Sequence, residues 1–140
     1  MRFKFFSHTA DAKFQAYGKG LDEAFSNAAL AMFSIMVDTK SVDKKVAKKV
    51  SVSASDLNSL LYKFLEKLLF FLDTKFFLLA DVKKMKVVEK KGRFYLDAVV
   101  VGDKFREKYE LLGSVKAVTY NQMFVKKVKG KYVLQVVVDL

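Results

Sequence analysis

Near residue 80 the apolar side chains of this chain change their spacing, which limits the possible folds more than any other feature. Before that point, Leu21, Ala24, Phe25, Ala28, Ala29, Met32, Ile35 and Met36 recur at helical intervals, predicting a helix over residues 21–37. Leu57, Leu60, Leu61, Phe64, Leu65, Leu68 and Leu69 repeat the pattern, with Ser55 or Asp56 available to cap a second helix. After it the period becomes two. Residues 82–89 and 93–101 flank a Lys-Gly-Arg turn and read as a hairpin. Strands are also predicted over 115–120, 123–128 and 132–140, the last after a Lys-Gly-Lys turn, with 104–109 extending the sheet. Residues 3–6, 13–17 and 46–53 supply shorter strands in the first half, and 73–79 fits either a helix exit or a strand.

Two helices that each need an apolar surface cannot be stable as separate halves. No linker rich in glycine, serine or proline divides the chain, and proline is absent altogether. The pattern predicts one α+β domain over residues 1–140, two helices packed on largely antiparallel β-sheet.

Composition excludes several kinds of chemistry. Without cysteine there are no disulfides, thiolate ligands or cysteine nucleophiles, which suits a reducing, cytoplasmic setting. The opening MRFKFFSHTAD turns polar too early for a signal peptide, and the longest apolar runs are too short to span a bilayer. The net charge of +11 permits contact with RNA, DNA or an acidic protein surface, and a solvated lysine-rich surface would carry it equally well. Phosphate loops, zinc signatures, nucleophile elbows and dinucleotide glycine patterns are missing from the sequence.

The polar groups that stand out sit where the apolar pattern changes. Asp11, Asp38 and Asp139 are such residues, and strand and helix ends can converge despite their separation in sequence. Two carboxylates with main-chain oxygens and water suit calcium, and suit the stricter octahedral magnesium less well. Asp139 and Leu140 together offer an aspartate, main-chain oxygens and a terminal carboxylate. The plainer alternative has Asp11 capping a turn, Asp38 ending a helix and Asp139 in a solvated tail. His8, the only histidine, lacks histidine or cysteine neighbours and reads as structural support for SHTAD at 7–11. Lys116, beside Val115 at a predicted strand start, can project from a sheet edge toward a carboxylate or phosphate.

Taken together, these segments resemble the archease family. SHTAD matches the family's opening, and YGKGLDEAFSNAALAMFSIMVD at 17–38 its first helix and helix exit. LNSLLYKFLEKLLFFLD at 57–73 is similar to the second helix, KAVTYNQM at 116–123 to the late strand pair, and VVVDL at 136–140 to the C-terminus. The resemblance implies an accessory protein, not an enzyme: an activator of the tRNA-splicing RNA ligase that promotes ligase guanylylation and multiple turnover, and broadens nucleotide use. GTP and manganese would belong to that ligase. It further implies calcium held by Asp11, Asp139 and an oxygen of Leu140, with Asp38 and Lys116 on the activating surface and His8 as support. Asn121 departs from the family's common histidine and cannot titrate, and Ala12-Lys13 replaces an aliphatic-glycine continuation. A basic RNA-binding chaperone in tRNA processing is the alternative expectation, with tRNA contact weak or indirect under the first reading. A metal-dependent hydrolase would need a nucleophile–base arrangement that the sequence does not suggest.

Overall fold

Alternation near the N-terminus produces a strand pair, β1 (Phe3–Phe6) and β2 (Asp11–Gly18), antiparallel with Phe5 opposite Phe14. The computed structural model describes residues 1–6 and 11–140. The expectation for His8 therefore lies outside the described residues.

Gly18 ends β2 because the chain must pass under the next helix. A Cβ at this position would come within 2.3 Å of the Ala24 nitrogen, so only glycine fits. The helix α1 (Leu21–Ser34) follows, and Asn27 donates to the Tyr17 carbonyl at 2.7 Å. Met36 and Val37 both donate to the Phe33 carbonyl, so the predicted 21–37 helix closes with a tightened turn. The alanines of α1 let it approach its neighbours closely and bury most of its circumference.

Asp22 in its first turn has a second task besides complementing the helix dipole. Its carboxylate accepts the Val87 N–H at 2.8 Å, covering part of an otherwise open strand edge.

After a short 3₁₀ turn, Thr39–Ser41, come β3 (Val46–Ala54) and α2 (Leu57–Lys75). Asp56 is the cap, accepting the Ser59 N–H at 2.7 Å. The predicted leucine and phenylalanine face is the buried one, Leu60 through Leu69. Each such side chain contributes about 1.5–3 kcal/mol when fully buried. Helix propensities differ by only a few tenths of a kcal/mol, so packing is what holds α2 in place. The 73–79 segment is both things predicted for it. The helix ends at Phe76 in a left-handed conformation, φ 58°, and β4 (Phe77–Lys90) begins at once.

The remaining strands are β5 (Arg93–Lys104), β6 (Ala117–Val128) and β7 (Lys131–Asp139). They assemble into two antiparallel sheets, ordered β1-β2-β7-β6 and β3-β5-β4. Helices and inner sheet faces share one apolar core that includes Phe14, Phe25, Phe64, Leu96 and Val136.

Two predicted strands need correction. Residues 104–109 do not extend the sheet, because β5 stops at Lys104 and the chain turns back. The cause is Asp103, only 1% exposed, whose buried charge needs donors that a continuing strand would not supply. Residues 115–120 and 123–128 are one strand rather than two. β6 pairs with β7 on both sides of an irregularity between Thr119 and Phe124, with Gln122 at φ 54°.

Candidate functional site

Strand register brings together two residues that the sequence keeps 128 positions apart. Asp11 of β2 lies directly opposite Asp139 of β7. Phe14, Ala16, Leu134, Val136 and Val138 point into the core, so Asp11, Lys13, Gln15 and Tyr17 alternate onto the outer face of the sheet. Gln135 and Asp139 reach the same face from β7. Opposed residues of an antiparallel pair have Cα atoms about 4.5–5.5 Å apart, so both carboxylates occupy one end of one surface. Asp11 is half-buried there and Asp139 exposed.

Lys116 joins them from the other side. Ala117 opens β6 opposite Asp139, and the Lys116 N–H donates to the Asp139 carbonyl at 2.8 Å. The side chain of Lys116 is exposed at the edge strand, as the sequence suggests. Leu140 follows Asp139 and adds its main-chain oxygen. Among the described residues no group of three or more His, Cys, Asp or Glu side chains gathers at one point. A cation at this end would therefore draw on main-chain oxygens and water besides Asp11 and Asp139. Such an oxygen-only set fits calcium.

Asp38 stands at a different corner. It caps the 3₁₀ turn, accepting the Lys40 N–H at 3.1 Å, and borders a polar groove of about 910 Å³ with Arg2, Ser34, Lys44 and Asp81. The loop before β6 links this corner to the carboxylate pair. Leu112 N–H donates to the Met36 carbonyl at 2.8 Å, four residues before Lys116 reaches Asp139. Four residues of extended chain span at most about 14 Å, so this short loop joins the two corners along one rim. Leu111 and Leu112 are 55% and 58% exposed on it.

Asp103 anchors that loop, a role the sequence reading missed. Its carboxylate accepts the Tyr109 hydroxyl at 2.6 Å, Arg106 Nε at 2.9 Å and the Lys104 N–H at 2.9 Å. The Tyr109 and Arg106 hydrogen bonds hold its pKa well below the usual carboxylate range, at about 2. Burial, then the Asp103 contact, pushes the Tyr109 hydroxyl up. Tyr109 packs on Val37, Val42, Leu78 and Ala80, and its oxygen accepts the Asp43 N–H at 3.2 Å. The only signal in the sequence is an aspartate ending an apolar strand six residues before an isolated tyrosine.

A second group went unpredicted beside the carboxylates. Tyr17 donates to Gln15 at 3.0 Å, Gln15 to Gln135 at 3.0 Å, and Gln135 to the Gln122 carbonyl at 2.8 Å. Lys13 Nζ completes the string on Gln122 Oε1 at 3.3 Å. These bonds pin the irregular part of β6 over the outer face. Asn121, within that irregularity, is exposed and donates its N–H to Thr119 Oγ1 at 3.2 Å.

The family model for the Archease protein family matches residues 3–140. The archease of Sulfolobus acidocaldarius is 41% identical over 140 residues, covering 99% of both chains. That of Methanothermobacter thermautotrophicus is 41% identical over 138 residues, covering 99% of this chain and 98% of its own. Among solved structures, Methanobacterium thermoautotrophicum protein 1598 superposes with a TM-score of 0.87 at 41% identity, covering 99% of this chain and 98% of that one. A Thermotoga maritima archease, described as a possible chaperone, shares the fold at a TM-score of 0.61 and 15% identity, covering 100% of this chain and 98% of its own. With a match across nearly its whole length and relatives at this identity, the chain belongs to the archease family.

Proposed function

We propose that this protein is a non-catalytic activator of a tRNA-splicing RNA ligase, working in the cytoplasm from the Asp11–Asp139 end of the molecule. It promotes guanylylation of the ligase and release for further turnovers, and widens the range of nucleotides the ligase accepts. Membership of the archease family supports this reading. The observation that carries it is the register pairing of Asp11 with Asp139 at one end of the outer sheet face, where the Lys116 N–H bonds the Asp139 carbonyl.

Calcium would be held by Asp11, Asp139 and an oxygen of Leu140, tying the ends of β2 and β7 together. The residues of the chain then do the recognition. The carboxylates and the Lys116 ammonium present charge to the ligase, and Leu111 and Leu112 supply apolar contact area on the same rim. Asp38 borders that rim and extends the polar contact. Asp103 and Tyr109 anchor the loop that carries the rim. GTP and manganese enter with the ligase.

The test is a guanylylation assay with purified cognate ligase, GTP and manganese, with this protein added well below the ligase concentration. Faster adduct formation and several turnovers per ligase are expected. An unchanged rate and yield would end this reading. Asp11→Ala and Asp139→Ala should each abolish most of the stimulation while keeping the helical circular-dichroism signal.

A further inference from the structure

We infer that the end of the molecule opposite the carboxylate pair is a grip for the phosphate backbone of a single-stranded nucleic acid, built from two basic hairpin tips. The turn between β4 and β5 is Lys91-Gly92, and that between β6 and β7 is Lys129-Gly130. All four residues have positive φ, from 52° to 79°, so both are tight two-residue turns of the kind that match strand twist. Asparagine or glycine suits the first position of such a turn. A lysine there is strained, so local conformation does not account for its presence twice.

Three contacts put the two tips at one end. Gly18 pairs with Tyr132 at the base of the β6–β7 tip, and the same glycine is packed against Ala24 in the first turn of α1. Asp22 of that turn holds Val87, three residues before the end of β4. The N-terminus of α1 therefore lies between the tips. Asp11 and Asp139 are at the far end of β2 and β7, eight strand steps or roughly 27 Å away.

Both tips carry an excess of basic residues, the β4–β5 tip having Lys90, Lys91 and Arg93 against Glu89. No acidic residue occurs between 117 and 138, while Lys126, Lys127, Lys129 and Lys131 crowd the tip and are all exposed. Lys126 Nζ lies 4.5 Å from the Phe124 ring centroid and Lys127 Nζ 5.8 Å from that of Tyr132. Lysines interleaved with aromatic rings on a rigid turn match a nucleic acid, with its regular phosphates and stackable bases. The nearest carboxylates of α1 are already committed, Asp22 to Val87 and Glu23 to the Lys19 N–H at 2.9 Å. This proposal does not depend on the ligase.

The experiment measures binding of a fluorescein-labelled oligouridylate by the whole protein, with no ligase present, across a salt series. The variant replaces Lys91, Lys127, Lys129 and Lys131 by glutamine. A control replaces Lys40, Lys45, Lys75 and Lys104, all exposed and away from the tips. The tip variant should lose at least tenfold in affinity, and the slope of log affinity against log salt should fall by about 3, at about 0.7 per phosphate contact. The control should change little. Equal losses in both variants would mean diffuse charge and overturn the proposal. Polyglutamate binding as tightly as RNA would also overturn it, in favour of an acidic protein partner. Lys129→Gly guards against misfolding. It relieves the turn, so it should raise Tm while weakening RNA binding, and a higher Tm with unchanged binding would remove Lys129 from the grip.

Discussion

Replacing Asp139 by asparagine should have opposite effects on stability with and without calcium. The reasoning begins with register, because Asp11 and Asp139 face each other directly. If their carboxylates are about 5 Å apart, like-charge repulsion is about 0.8 kcal/mol in water and about 3 kcal/mol at an effective dielectric of 20. Asp139 is exposed, so the lower figure applies, and salt reduces it to about 0.5 kcal/mol. For a domain of this size 1 kcal/mol moves Tm by about 4 °C. In EDTA, Asp139→Asn should therefore melt about 2 °C above the parent.

Calcium reverses the order. At a hundredfold excess over its dissociation constant, a ligand bound only by the folded state adds about 2.7 kcal/mol, or about 10 °C. The parent should gain this and Asp139→Asn should gain little, so the two melting curves exchange places as calcium is added. Scanning fluorimetry in EDTA, calcium and magnesium reads this directly, with magnesium expected to give the smaller shift. If the asparagine variant melts lower in EDTA and follows the parent in calcium, the pair is neither mutually repulsive nor a cation site.

Acid should loosen the Asp103 anchor. Its carboxyl group is held down from 3.8 to about 2, so its stabilisation is complete above pH 4 and fades as pH falls toward 2. Tyr109→Phe removes the largest cause of that depression, and acid unfolding followed by circular dichroism should shift to higher pH. Phe76→Gly should stabilise by about 0.5–1 kcal/mol, because the left-handed cap at φ 58° favours glycine and the ring is 57% exposed; chemical denaturation measures this. Gly102→Ala should cost at least about 1–3 kcal/mol by the same measurement, since its Cβ would meet the Leu78 carbonyl oxygen at 1.9 Å. Replacing Leu111 and Leu112 together by serine should leave Tm nearly unchanged and reduce ligase stimulation severalfold; full stimulation would take the rim out of the ligase contact.

What was legible in this sequence depended on whether the cause of a structure lay near it in the chain. Helix faces, caps and turns are local: Asp56 stands next to the helix it caps, and Lys129-Gly130 next to the strands it joins. The Asp11–Asp139 pair was reachable only as a suspicion, because β-register is a property of two strands and neither states its partner. The break after Lys104 was misread because its cause is a hydrogen-bond requirement, met by Arg106 and Tyr109 only once the chain has turned. Charge shows the same division. The net charge of +11 was plain, but its separation along the molecule was not, because it depends on α1 bringing two distant hairpin tips to one end. If both proposals hold, the Asp11–Asp139 end would face the ligase while the lysine tips face a phosphate backbone. The register of β2 and β7 sets the span between them.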